Sequence, residues 1–210
     1  MNPIADRLAR CPFVAILRGI KPTEIEIVGD VLVELGFEII EVPLNSPEPL
    51  LSIERLARRM GQRALVGAGT VLRSTDVEGI DQAGGRLVVM PHASATVVRE
   101  AKRHDMAVMP GFSTPTEAFA MLEAGADALK LFPADGSSPS ALRSMRAVLP
   151  QGVPILPVGG VDEQCLAPWL KGGAAGFGIG SALYKPGDTA GDVLARGRTL
   201  IEAWKDLREH

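Results

Sequence analysis

Two charged residues stand where apolar strands should run. In "DALKLFPAD" (127–135) Lys130 is flanked by Leu129, Leu131 and Phe132, and in "FEIIEVPLN" (37–45) Glu41 interrupts Ile39, Ile40 and Val42. An unpaired ammonium or carboxylate in an apolar interior costs several kcal/mol. Such residues therefore lie at strand ends, pair with each other, or are employed. A desolvated lysine loses its proton more readily and becomes a nucleophilic amine. A neighbouring carboxylate can shuttle protons for it. A buried Lys130–Glu41 ion pair with a purely structural role is the alternative these residues leave open.

The elements that must position them are short Val/Ile/Leu-rich runs alternating with amphipathic stretches. There are eight such runs: 13–20, 37–45, 63–71, 86–93, 106–113, 128–134, 153–161 and 174–182. Nearly continuous hydrophobicity suits parallel strands buried on both faces. Between them, "PTEIEIVGDVLVELG" and "STPTEAFAMLEAG" open on Pro/Thr/Ser cap signals and close on glycine, as helices do. Eight β-then-α units predict an α/β fold, a single (β/α)₈ TIM barrel over 1–210. Residues 1–11 are expected to add an N-terminal helix closing the barrel bottom, and 188–209 to form the last outer helix. A doubly wound sheet is the other reading, but no dinucleotide or phosphate fingerprint follows the first strand.

In such a barrel the chemistry projects from the C-terminal strand ends. Those ends carry Arg18, Glu41 with Asn45, Thr70, His92, Ser113, Lys130, Gly159–Gly160 and Gly180–Ser181. The glycine pairs after runs seven and eight sit where many barrels hold a phosphate on backbone N–H groups, and Ser181 offers a hydroxyl. His92, His104 and His210 form no metal-ligand spacing, and Ser113–Thr114 reads as a helix cap rather than a nucleophile. Trp169 and Trp204 fall in helical patterns and read as packing residues.

Composition narrows the class further. The chain is 46% hydrophobic and 22% charged, with a net charge of −3. That balance gives no general attraction to nucleic acid or to an anionic membrane, so an anionic ligand needs a local site. Cys11 and Cys165 are far apart and read as reduced thiols of a cytoplasmic protein. The charged start "MNPIADRLAR" lacks the apolar core of a signal peptide, and no apolar run has the ~18 residues a membrane span requires.

The motifs "VAILRGI", "EVPLNSP", "GAGTVL", "GFSTPTEA", "ALKLFPA", "VGGV" and "GIGSALY" resemble, in order and along nearly the whole chain, the 2-keto-3-deoxy-6-phosphonate aldolases. The resemblance implies a class I Schiff-base enzyme on a (β/α)₈ barrel, a homotrimer, using no metal or other cofactor because an iminium ion does the polarising. It implies that Lys130 is the Schiff-base lysine and Glu41 the proton carrier. The substrate would be a phosphorylated keto-deoxy sugar acid, cleaved to pyruvate and D-glyceraldehyde 3-phosphate. Its phosphate would rest on Gly159, Gly160, Gly180 and Ser181. Two branches act on C4 epimers, gluconate and galactonate. The gluconate branch has arginine where this chain has Asn45 and threonine where it has Val158, so the chain looks like the galactonate branch. Arg18 and Thr70 then become the best candidates for the substrate carboxylate. The other readings are a gluconate-epimer or dual-specificity aldolase, a phosphosugar isomerase or epimerase using Glu41 alone, and a non-catalytic sugar-phosphate binder.

Overall fold

All strand pairings among the described residues are parallel, as runs buried on both faces require. The computed structural model of the chain describes residues 2–209, so His210 lies outside the described residues. The first strands are β1 (Phe13–Ile16), β2 (Ile39–Pro43), β3 (Leu65–Gly69) and β4 (Leu87–Val89). They are followed by β5 (Ala107–Met109), β6 (Gly111–Phe112), β7 (Leu129–Leu131), β8 (Ile155–Pro157) and β9 (Phe177–Ile179). Helices α1 (Pro3–Leu8), α2 (Ile25–Glu34), α3 (Pro49–Met60), α4 (Val77–Gln82) and α5 (Ala95–Arg103) occupy the first half. The second half adds α6 (Pro115–Ala124), α7 (Pro139–Arg146), α8 (Leu166–Lys171) and α9 (Ala190–Glu209).

All eight apolar runs contain strands, but they do not form one closed ladder. The ladders make a curled six-stranded sheet, ordered β5-β4-β3-β2-β1-β9, and a separate three-stranded sheet, β6-β7-β8. The expectation of a closed eight-stranded barrel is therefore corrected to an open, TIM-barrel-like α/β arrangement. Prolines stand at both seams and offer no N–H to a ladder. Pro110 splits run five into β5 and β6, while Pro157 ends β8. Across the second seam, among the described residues, only the isolated bridge Val158–Gly178 and the bond from Ala175 N–H to Ile155 C=O (2.9 Å) join β8 to the β9 segment.

Strand alternation sorts side chains into two cores. Val14, Ile39, Leu65, Leu87, Val89, Met109 and Leu156 pack inside the curl of the sheets. The larger outer core lies between strands and helices, with Phe13 against Phe37 (centroids 5.7 Å apart) and Phe177 (6.0 Å). As expected, an N-terminal helix closes the bottom of the inner core: Ile4 and Leu8 of α1 are buried within it. Asn2 caps that helix, its Oδ1 accepting from Ile4 and Ala5 N–H, while its Nδ2 donates to Asp127 C=O just before β7. Burying Ile4 and Leu8 contributes about 1.5–3 kcal/mol each.

The cap signals are clearest at α6. Thr114 Oγ1 accepts from Glu117 N–H, the Glu117 carboxylate accepts from Thr114 N–H, and Gly125 (φ 105°) ends the helix. This reciprocal pairing satisfies two otherwise unpaired donors. At α2 the helix begins at Ile25, later than its Pro22–Thr23 signal.

Candidate active site

Strand parity builds the pocket two residues at a time. A cavity of about 390 Å³ is lined by Ile16 and Arg18, Lys130 and Phe132, Val158 and Gly160, and Gly178 and Gly180. Each pair is spaced i, i+2, so each strand end contributes one face to the same opening. Gly159, Val161, Ser181, Tyr184, Lys185 and Pro186 complete the wall. The sequence-expected residues Lys130, Arg18, Val158, Gly159, Gly160, Gly180 and Ser181 are thus brought together.

Lys130, in the centre of β7, is only 4% exposed, and Glu41 in β2 is 1% exposed. Both belong to the inward-facing set, Glu41 two residues beyond Ile39 on the same strand face. Burial pushes the Lys130 ammonium down from its ordinary value; the charge of Glu41 opposes this in part and that of Arg18 adds to it. Burial likewise pushes the Glu41 carboxyl up, against the attraction of Lys130 and Arg18. No ion pair within 4.0 Å joins them among the described residues, and Glu41 Oε2 has no hydrogen-bond partner. The structural salt bridge that the sequence left open is not formed. What stands instead is an amine whose proton burial loosens and an acid whose proton burial holds more tightly. Lys130 Nζ lies 4.8 Å from the centroid of the Phe132 ring.

Arg18 ties the remaining polar residues together. Its Nη1 donates to Asn45 Oδ1 (2.6 Å) and its Nη2 to Thr70 Oγ1 (3.3 Å). Thr70 holds a left-handed backbone (φ 54°), an arrangement that costs a β-branched residue on the order of 1–3 kcal/mol. Asn45 and Thr70 do not line the Lys130 cavity. They face an adjoining one of about 680 Å³, walled by Leu50, Leu72 and Arg73, and Arg18 stands between the two. The larger cavity is thus not the one that holds the buried lysine.

The glycine turns open the other side. Gly159 (φ 103°) and Gly160 (φ 67°) both adopt left-handed conformations that favour glycine. After β9, Leu183 and Tyr184 N–H donate to Gly180 C=O, making a single turn rather than the short helix that often follows this strand. His92 is exposed and lines neither cavity. His104 ends α5, with Nδ1 2.8 Å from Asp81 Oδ2, which pushes its pKa up. Ser113 Oγ donates to Phe132 C=O at 2.7 Å.

The family profile described as "Aldolase: KDPG and KHG aldolase" matches residues 4–194. The chain belongs to the KDPG and KHG aldolase family. It is 48% identical over 193 residues to a probable 2-dehydro-3-deoxy-6-phosphogalactonate aldolase of Rhizobium meliloti, covering 92% of this chain and 91% of that protein. It is 39% identical over 197 residues to the 2-dehydro-3-deoxy-6-phosphogalactonate aldolase of Escherichia coli, covering 94% and 96%. A solved structure described as native KDPGal superposes with a TM-score of 0.92 at 39% identity, covering 95% of this chain and 97% of that one. The activity is therefore that of an aldolase, a carbon–carbon lyase.

Several residues in or beside this aldolase's cavity escape a reading of strand ends alone. Phe132 is one: it lies two residues beyond Lys130 on the same strand face, a spacing the sequence displays. Gly69 is another, since a Cβ there would overlap the Glu41 carboxylate. Lys185 lies beyond run eight, in "LYKPG", where only the turn at Gly180 brings it back over the cavity.

Proposed function

We propose that this chain is a class I aldolase that cleaves 2-dehydro-3-deoxy-6-phospho-D-galactonate to pyruvate and D-glyceraldehyde 3-phosphate. The observation that carries the reading is the buried pair Lys130 and Glu41, set into one inner face without an ion pair and driven by burial toward the neutral amine and the neutral acid. Neutral Lys130 Nζ attacks the C2 carbonyl of the substrate; protonated Glu41 gives its proton to the departing hydroxyl, so that water leaves and an iminium ion stands beside a Glu41 carboxylate. Glu41, as carboxylate, removes the C4 hydroxyl proton. The C3–C4 bonding electrons move into the iminium, giving an enamine, and the aldehyde departs. The proton on Glu41 then passes to C3 of the enamine, and water releases pyruvate from Lys130. A carboxyl whose pKa is raised by burial is suited to both halves of that exchange.

The remaining polar groups divide by charge. We assign Arg18, whose guanidinium donates to Asn45 and Thr70, to the substrate carboxylate, and Gly159, Gly160, Gly180 and Ser181 to the phosphate. Val158, 4% exposed and packed on Gly178, supplies an apolar wall where the gluconate branch has a hydroxyl. The galactonate relatives named above support the same epimer. Residues 1–210 are taken to act as one domain, in a cytoplasmic homotrimer, without a metal. Cleavage of the galactonate and gluconate epimers by one preparation, followed through the released triose phosphate, tests the assignment. Faster cleavage of the galactonate epimer is expected.

A further inference from the structure

The cavity is lined by three basic side chains, Arg18, Lys130 and Lys185, and by no carboxylate. In a chain of net charge −3 that is a local concentration of basic groups, and two of the three are already committed. Arg18 is turned toward Asn45 and Thr70, and Lys130 is buried at the base. The third stands on the wall that carries Gly159, Gly160, Gly180 and Ser181.

Lys185 is held there by its neighbours. Tyr184 is 2% exposed and its hydroxyl donates to Glu24 Oε2 at 3.3 Å. Pro186 packs on Gly19 so closely that a Cβ at Gly19 would lie 2.6 Å from Pro186 Cγ. Asp188, the nearest acid in sequence, accepts from Lys185 N–H at 2.6 Å and is engaged by the Arg196 guanidinium. Its charge is thereby matched by Arg196, and Lys185 forms no ion pair among the described residues. The backbone is anchored on both sides while the exposed ammonium is left without a counter-charge.

We propose that Lys185 is the specificity-determining cation that selects the phosphorylated substrate, supplying the charge that backbone N–H groups and a hydroxyl cannot. The proposal rests on the aldolase reading above. It is tested by comparing kcat/KM on the phosphorylated substrate and on its unphosphorylated counterpart for the wild type, Lys185→Met and Lys185→Arg. A charge-assisted contact to phosphate predicts that Lys185→Met lowers the ratio of the two by roughly 10- to 100-fold. Lys185→Arg, which keeps the charge, should restore most of it. A ratio within about twofold of wild type in Lys185→Met, or an equal loss on both substrates, overturns the proposal. A wild type that cleaves neither substrate would instead sink the aldolase reading, so the two failures are distinct.

Discussion

Gly69 of β3 leaves open the space in which the Glu41 carboxylate of β2 sits. A Cβ at that position would coincide with the carboxylate oxygens, and the register places Glu41 opposite Gly67, two residues before Gly69. The position of the Glu41 carboxylate therefore depends on the absence of a side chain on the adjacent strand. Gly69→Ala should displace Glu41 and lower kcat about 10²–10³-fold, because misplacing a catalytic group by an ångström is enough. The check is kcat together with pyruvate trapping at Lys130. A fully active Gly69→Ala protein would mean that Glu41 works from another position.

Glu41→Gln keeps the shape and removes the base. Turnover should fall about 10²–10⁴-fold with KM largely kept. A loss confined to KM would make Glu41 a binding residue.

The same substitution has a consequence for stability. Burial raises the folded-state pKa of Glu41 above its ordinary 4.5, so in that window the folded chain holds a proton the unfolded chain has released. Stability from this group is full below pH 4.5 and is lost as pH rises through the folded pKa. Glu41→Gln carries no such loss. Its melting temperature should exceed that of the wild type by a margin that grows with pH above 4.5 and levels off beyond the raised pKa. A constant margin across pH would contradict the desolvated acid.

Lys130 gives the opposite sign. Its ammonium is pushed below the ordinary 10.5 by burial, so the rate of imine formation with pyruvate should rise to half its maximum at a pH below 10.5. Lys130→Arg should be nearly inactive, since a guanidinium stays protonated and cannot attack. A midpoint at or above 10.5 would show that burial does not activate this amine.

Epimer preference should follow Val158. Valine is nearly isosteric with threonine but cannot hydrogen-bond, so an epimer that relies on that bond loses about 1–3 kcal/mol. That is roughly a 5- to 150-fold difference in kcat/KM. Val158→Thr should recover gluconate-epimer cleavage with little effect on trapping at Lys130. A wild type that cleaves the gluconate epimer as well as the galactonate epimer would remove the branch assignment and leave the chemistry standing.

Much of this site is legible along the chain because its signals are local. Lys130 and Glu41 announce themselves as charges in apolar runs, and the glycines and Ser181 as turn residues at the ends of runs seven and eight. Phe132 is equally legible, two residues from Lys130 on the same strand face. Arg18, Asn45 and Thr70 are legible one by one as polar strand-end residues, but the hydrogen bonds that join them, and the space Gly69 leaves for Glu41, are not, because these depend on which side chain of a neighbouring strand each residue meets. Register between strands is set by tertiary packing, and a single sequence carries little of it. The break at Pro110 is similar. The proline is visible, yet whether it interrupts a ladder depends on which partner its missing N–H would have faced.

The central claim is a covalent one, and it has a direct measurement. The purified protein, incubated with pyruvate, reduced with borohydride, digested and analysed by mass spectrometry, should carry a reduced three-carbon adduct on the peptide containing Lys130. An unmodified Lys130 peptide beside full cleavage activity would contradict the account.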